Sequence, residues 1–101
     1  MNPVAERIHL IERVAHNDEG TLRMLDKVIE VLVEKDRKKL AEFRGKLTEF
    51  EQRYGMSTTE FQQRFDSGEL GDAPEWFDWD GFAVLSGSLE AKLKTVEARR
   101  G

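Results

Sequence analysis

Carboxylates are the residues in this chain whose number and spacing could do chemistry. Glu69, Asp72, Glu75, Asp78 and Asp80 fall within twelve positions, dense enough to gather a divalent cation or to set up a general acid–base pair. Neither arrangement is spelled out. The ligand spacing and central glycine of an EF-hand are absent, and Asp72 and Glu75 read as acidic caps around Pro74 at the start of a helix. His9 and His16 stand seven apart, on one helical face but about 10 Å apart along its axis, too far to share an ion. With no cysteine in the chain, thiolate catalysis, thiolate zinc sites and disulfides are excluded. No glycine-rich phosphate loop and no Ser-His-Asp set occurs. The residues describe a non-catalytic protein with no metal and no cofactor.

One basic cluster, Lys35, Arg37, Lys38 and Lys39, points to nucleic acid. Asp36 interrupts it, and Glu34 and Glu42 lie on the same helix, so a solvated helix face accounts for it more simply. The alternative is a weak DNA contact made by a dimeric regulator. A formal net charge of −4 is not that of a dedicated nucleic-acid binder.

The remaining candidate is a surface. Between Gly55 and Gly81 the only base, Arg64, stands against seven acids, for a net of −6. Phe61, Phe65, Trp76, Phe77 and Trp79 are interleaved with these acids. Aromatic rings anchor interfaces and carboxylates steer a basic partner toward them. Against that stands the simpler use of the same rings as core. Phe61 and Phe65, four apart, are the only apolar face of their helix. Trp76, Phe77, Trp79 and Phe82 span more than one face, more than a small domain readily buries, and Phe77 is the one expected outside.

The elements that must position these residues are helices. At 101 residues, with 36% charged and 39% hydrophobic content, the chain suits one domain of amphipathic helices with wide solvated faces. Asn2-Pro3 opens a first helix, a cap followed by proline at the first helical position. Val4, Ile8, Ile11 and Ala15 share its face, although Arg7–Leu10 also alternates as a short strand would. His16–Thr21 reads as a joint. From Leu22 the apolar steps of three and four run through Leu25, Ile29 and Leu32, then through Leu40, Phe43, Leu47, Phe50 and Tyr54. Two successive steps of four around Asp36 form a stutter. This predicts a long helix over about 22–54. Its stripe can be covered by an intramolecular bundle or by a homodimer through the long helix, and the sequence leaves both open.

Gly55 ends that helix, and Ser57-Thr58-Thr59-Glu60 is a capping box for a short helix over about 58–67. A C-terminal helix over about 73–98 carries Trp76, Trp79, Phe82 or Ala83, Leu85, Leu89, Leu93 and Val96, with Gly81 and Gly87 making its start irregular. The expected fold is all-α, a bundle or helical hairpin, elongated in part. Its segments are 1–20 (helix and joint), 21–54 (long helix), 55–81 (aromatic–acidic stretch) and 82–101 (C-terminal helix). No apolar run approaches membrane-spanning length and no signal pattern opens the chain, so the cytoplasm is the expected compartment and no membrane partner is expected.

Phe50-Glu51, Tyr54-Gly55-Met56-Ser57, Glu60-Phe61, Arg64-Phe65, Gly68-Glu69-Leu70-Gly71-Asp72 and Glu75-Trp76-Phe77-Asp78-Trp79 together form a recognisable pattern. It resembles that of a group of small bacterial and archaeal helical proteins, FExxYGM(S)xxEFxxRFxxGELGDxxxFFEW. These are regarded as antitoxin components encoded beside toxin candidates of RelE-like or TumE-like type. The likeness extends over about Leu22–Leu93 in layout and about thirty residues in motif. Trp76 stands where the pattern has Phe or Tyr, and Asp78 where it has Glu. The resemblance implies a protein that binds and neutralises a basic, RNA-targeting toxin. Phe61, Phe65, Leu70, Trp76, Phe77 and Trp79 would form the contact surface, with Glu69, Asp72, Glu75 and Asp78 as its acidic component. A helical scaffolding module is the other reading left open.

Overall fold

The computed structural model describes residues 2–100. Four helices follow in order: α1 (Pro3–Val14), α2 (Glu19–Tyr54), α3 (Thr58–Asp66) and α4 (Pro74–Arg100). Among the described residues there is no strand, so the all-α expectation holds and the strand alternative at Arg7–Leu10 does not. The chain divides into two compact units, Met1–Leu32 and Val33–Gly101, with α2 contributing to both.

In the first unit, α1 opens as its residues dictate. The Asn2 side chain accepts hydrogen bonds from the Val4 and Ala5 N–H groups at 2.9 and 3.3 Å, with Pro3 at the first helical position. The helix stops at Ala15, whose backbone turns extended. The joint is shorter than the predicted His16–Thr21, because Asp18 accepts from the Thr21 N–H at 2.7 Å and so starts α2 at Glu19. That bond lowers the Asp18 pKa. No residue of α1 is buried, and Leu22, Met24, Val28, Ile29, Val31 and Leu32 of α2 are all exposed.

The second unit has the core. Its part of α2 runs antiparallel to α4, with pairs at Asp36–Lys92 (2.7 Å), Arg44–Glu90 (3.2 Å) and Arg37–Glu97. The stripe on α2 begins at Val33, not Leu32, and continues through Asp36, Leu40, Phe43, Leu47, Phe50 and Tyr54. Every step is now three or four in alternation, and the stutter disappears. Asp36 occupies one seam position half-buried, where Lys92 satisfies it. The α4 seam answers with Trp79, Phe82, Ser86, Leu89, Leu93 and Val96, all buried or half-buried. Such 3-4 stripes on two helices are the pattern of side-by-side helical packing. Val33, Leu40 and Leu93 form the buried cluster at one end, with Leu89 and Val96 against it.

Two expectations for α4 are corrected. Leu85, predicted on its inner face, is 50% exposed, because the alternation from Phe82 lands on Ser86, whose buried hydroxyl has no hydrogen-bond partner. Gly81 and Gly87 do not disturb the helix, which is unbroken from Pro74.

Gly55 closes α2 with φ 67°, a left-handed conformation that only glycine adopts cheaply. The capping box of α3 forms by half. Ser57 Oγ accepts from the Glu60 N–H at 3.1 Å, whereas the Glu60 carboxylate turns to Arg64 at 2.8 Å. Glu51, from the last turn of α2, accepts from the Thr58 N–H at 2.8 Å. At the far end of α3, the Glu69 N–H reaches back to the Arg64 carbonyl at 3.1 Å, and Gly68 takes φ 83°, as in a Schellman closure.

Candidate functional site

The aromatic–acidic stretch folds around the indole of Trp79. Phe61 of α3 stacks on it with centroids 4.0 Å apart and planes 2° from parallel, and Phe50 of α2 stacks at 5.3 Å and 10°. Trp79 Nε1–H donates to Thr58 Oγ1 at 3.0 Å, so its one polar atom is paired. Phe61 and Trp79 have no exposed surface. Offset and stacked rings contribute beyond the area they bury, and here one cluster ties three helices together. Neither Phe61 nor Trp79 offers surface to a partner in this conformation.

From this centre the rings continue outward. Phe65 stacks on Phe61 at 5.5 Å and is half-buried. Phe77 meets Phe65 edge-on at 5.2 Å and is 57% exposed. Trp76, half-buried, packs against Tyr54 at 4.8 Å and donates its Nε1–H to the Leu70 carbonyl at 3.1 Å. That bond, with Gly71 at φ 78°, fastens the Gly68–Asp72 turn to α4 and leaves Leu70 half-buried.

The carboxylates divide by employment. Glu69 lies 3.7 Å from Arg64, which also holds Glu60. Glu75 accepts a 2.7 Å hydrogen bond from the Tyr54 hydroxyl, whose pKa is raised chiefly by that bond. Asp80 accepts from Gln62 at 3.3 Å. Asp72 and Asp78 are exposed and, among the described residues, make no ion pair or side-chain hydrogen bond. The predicted capping role of Asp72 is not realised. Pro74 is the first residue of α4 and the Trp76 N–H bonds to the Ala73 carbonyl, so Ala73 takes the cap position and Asp72 lies one residue outside it. Glu75, bound to Tyr54, does not cap either.

Left exposed in this stretch are Phe77, packed edge-on against Phe65, and two carboxylates without a partner, Asp72 in the turn before α4 and Asp78 on α4. Val84 of α4, one heptad beyond Phe77, is 59% exposed. Phe50, Glu51, Tyr54 and Thr58, which the motif reading does not include among its contact residues, hold Trp76, Trp79 and the start of α3 in place. Phe50 and Tyr54 were visible as stripe residues, but nothing in the spacing said that the Tyr54 hydroxyl would meet Glu75.

Arg37 bonds Glu34 and Glu97, and Lys39 stands over the Phe43 ring at 5.7 Å. Lys35 and Lys38 are exposed. His9 pairs loosely with Glu12 at 3.8 Å on α1. No group of three or more His, Asp or Glu among the described residues is placed to hold a metal ion, and none of the described helices is long and apolar enough to cross a membrane. No protein-family model, curated protein or solved structure matches the chain.

Proposed function

We propose that this chain is a non-catalytic protein-interaction module, the antitoxin-like component of a toxin–antitoxin pair, which binds a basic partner through the outer face of α3 and α4. The observation that carries the reading is the contrast between Trp79 and Phe77. The same segment buries one large ring completely and leaves another 57% exposed, and two of its carboxylates have no internal partner. Exposed aromatic rings are common anchors of interfaces. The net of −6 between Gly55 and Gly81 suits a basic surface, and the resemblance of the motif to antitoxin-like proteins supplies the class of partner. Phe77 is the anchor, Phe65, Trp76 and Leu70 frame it, and Asp72 and Asp78 steer.

The DNA-binding alternative is weakened by the engagement of Arg37 and Lys39 within the protein. A plain scaffolding module would have all of its motif aromatics covered, which Phe77 is not.

The test is co-expression with the product of the adjacent reading frame, followed by size-exclusion chromatography. A stoichiometric complex is expected. Phe77→Ala should weaken it about tenfold or more, and Asp72→Lys with Asp78→Lys should slow association and flatten its salt dependence. Elution of the protein alone, or a complex indifferent to these substitutions, overturns the reading.

A further inference from the structure

Among its described residues, the unit Met1–Leu32 has apolar side chains but none that is buried. Eleven of the fourteen large apolar side chains exposed among the described residues lie between Val4 and Leu32. All but Leu10, Met24 and Val31 lie on or beside the apolar stripe of their helix, and at about half exposure each these eight leave on the order of 700 Å² uncovered, against roughly 800 Å² per partner in a standard stable interface. A twelve-residue helix such as α1, with nothing buried, is marginal by itself.

The spacing of these residues says what covers them. In α1, Val4, Ile8 and Ile11 alternate d and a, and in α2 Leu22, Leu25, Ile29 and Leu32 alternate a and d. The joint between the two helices is not helical, so each carries its own stripe. At Val33 the count shifts by one residue, and from there α2 gives its seam to α4 instead. The stripe before the shift is thus separate from the one used internally.

The flanking positions add a direction. In a parallel pair, position g of one helix faces position e of the next heptad on the other, five residues on. Arg7 is at g and Glu12 at e, so two copies in register set opposite charges together twice. In α2 the corresponding pair, Thr21 with Asp26, sets no like charges together. An antiparallel pairing of the α2 stripes would instead bring the e positions Glu19 and Asp26 against one another.

We infer that the first thirty-two residues are a homodimerisation arm, which pairs in parallel with the same segment of a second copy. The occupant is this chain itself, since the uncovered area matches an interface and both the register and the charges are self-complementary. The interaction is independent of the face that carries Phe77.

Light scattering on the full chain, without any partner, tests it. The expected mass at about 50 µM is twice the 11.7 kDa of the chain. Ile29→Asp should give the monomer, with the near-ultraviolet signal of Trp76 and Trp79 unchanged as proof that the second unit stays folded. Arg7→Glu should raise the dimer dissociation constant about tenfold, and Arg7→Glu combined with Glu12→Arg should restore it. A monomeric wild type, any other stoichiometry, or a dimer that survives Ile29→Asp overturns the arm. Failure of the charge swap to restore association overturns the parallel register.

Discussion

Trp79 and Phe77 are two residues apart in sequence and opposite in use. Trp79 is enclosed between Phe50 and Phe61 with its N–H paired, so Trp79→Ala should cost about 3–5 kcal/mol. Phe77→Ala removes a mostly solvated ring and should cost less than about 1 kcal/mol. Urea denaturation of the two variants reads the difference, and equal losses would mean that Phe77 is core after all. Titration offers a second residue-scale test. Glu90 is held below its ordinary value, first by Arg44 and then by Lys94. A carboxylate depressed in the folded state contributes stability above its unfolded value of 4.5 that is lost as pH falls through the folded one. Stability should therefore decline below about pH 4.5, less so in Glu90→Gln, as followed by helical circular dichroism. An acid limb identical in the variant would remove Glu90 from the account. Tyr54 works in the other direction. Its raised pKa ties its contribution to the protonated hydroxyl, present below its ordinary value of 10.0 and lost as pH rises through the folded value.

At the scale of the element, most helix ends follow from one or two residues. Asn2-Pro3, Ser57 and Gly55 act where their chemistry puts them. Two glycines do not behave as propensity suggests. Gly81 and Gly87 lie inside α4, and a Cβ added at either meets no neighbouring atom within 4 Å. Their cost to the helix is then backbone freedom alone, so Gly81→Ala and Gly87→Ala should each stabilise by about 0.5–1 kcal/mol. Thermal unfolding of the single variants checks this, and destabilisation by either would show that the position needs its missing side chain. Where prediction slipped, the partner helix decided. From spacing alone the inner row of α4 runs through Leu85, and the α2 row through Leu32. Both counts use locally valid helical steps, and only the opposing seam selects Ser86 and Val33.

For the whole molecule the contrast is between a unit with a core and one without. Amides of α4 and of α2 beyond Val33 close over buried Val33, Leu40 and Leu93, whereas α1 closes over nothing. In dilute solution, hydrogen exchange should therefore be fast throughout Pro3–Val14 and slowest near Trp79 and Leu93. Equal protection of α1 and α4 in dilute solution would contradict the description of Met1–Leu32 as coreless. Such a division also separates roles, since a change in one unit need not disturb the other.

By itself, the sequence determined what depends on neighbours along the chain. Helical periodicity, cap residues and the left-handed glycine at position 55 set the all-α class and nearly all helix ends, because each is satisfied within a turn or two. The aromatic–acidic stretch was legible as a candidate site for the same reason, since composition needs no partner to be read. Tertiary structure decided which rings were inside and which acids were employed. Phe61 and Trp79 are core because Phe50, brought from another helix, closes the stack. Glu75 is engaged because Tyr54 arrives beside it from α2, which leaves Asp72, Asp78 and Phe77 as the exposed remainder. Those assignments depend on side chains meeting across helices, and no spacing within one helix can state them.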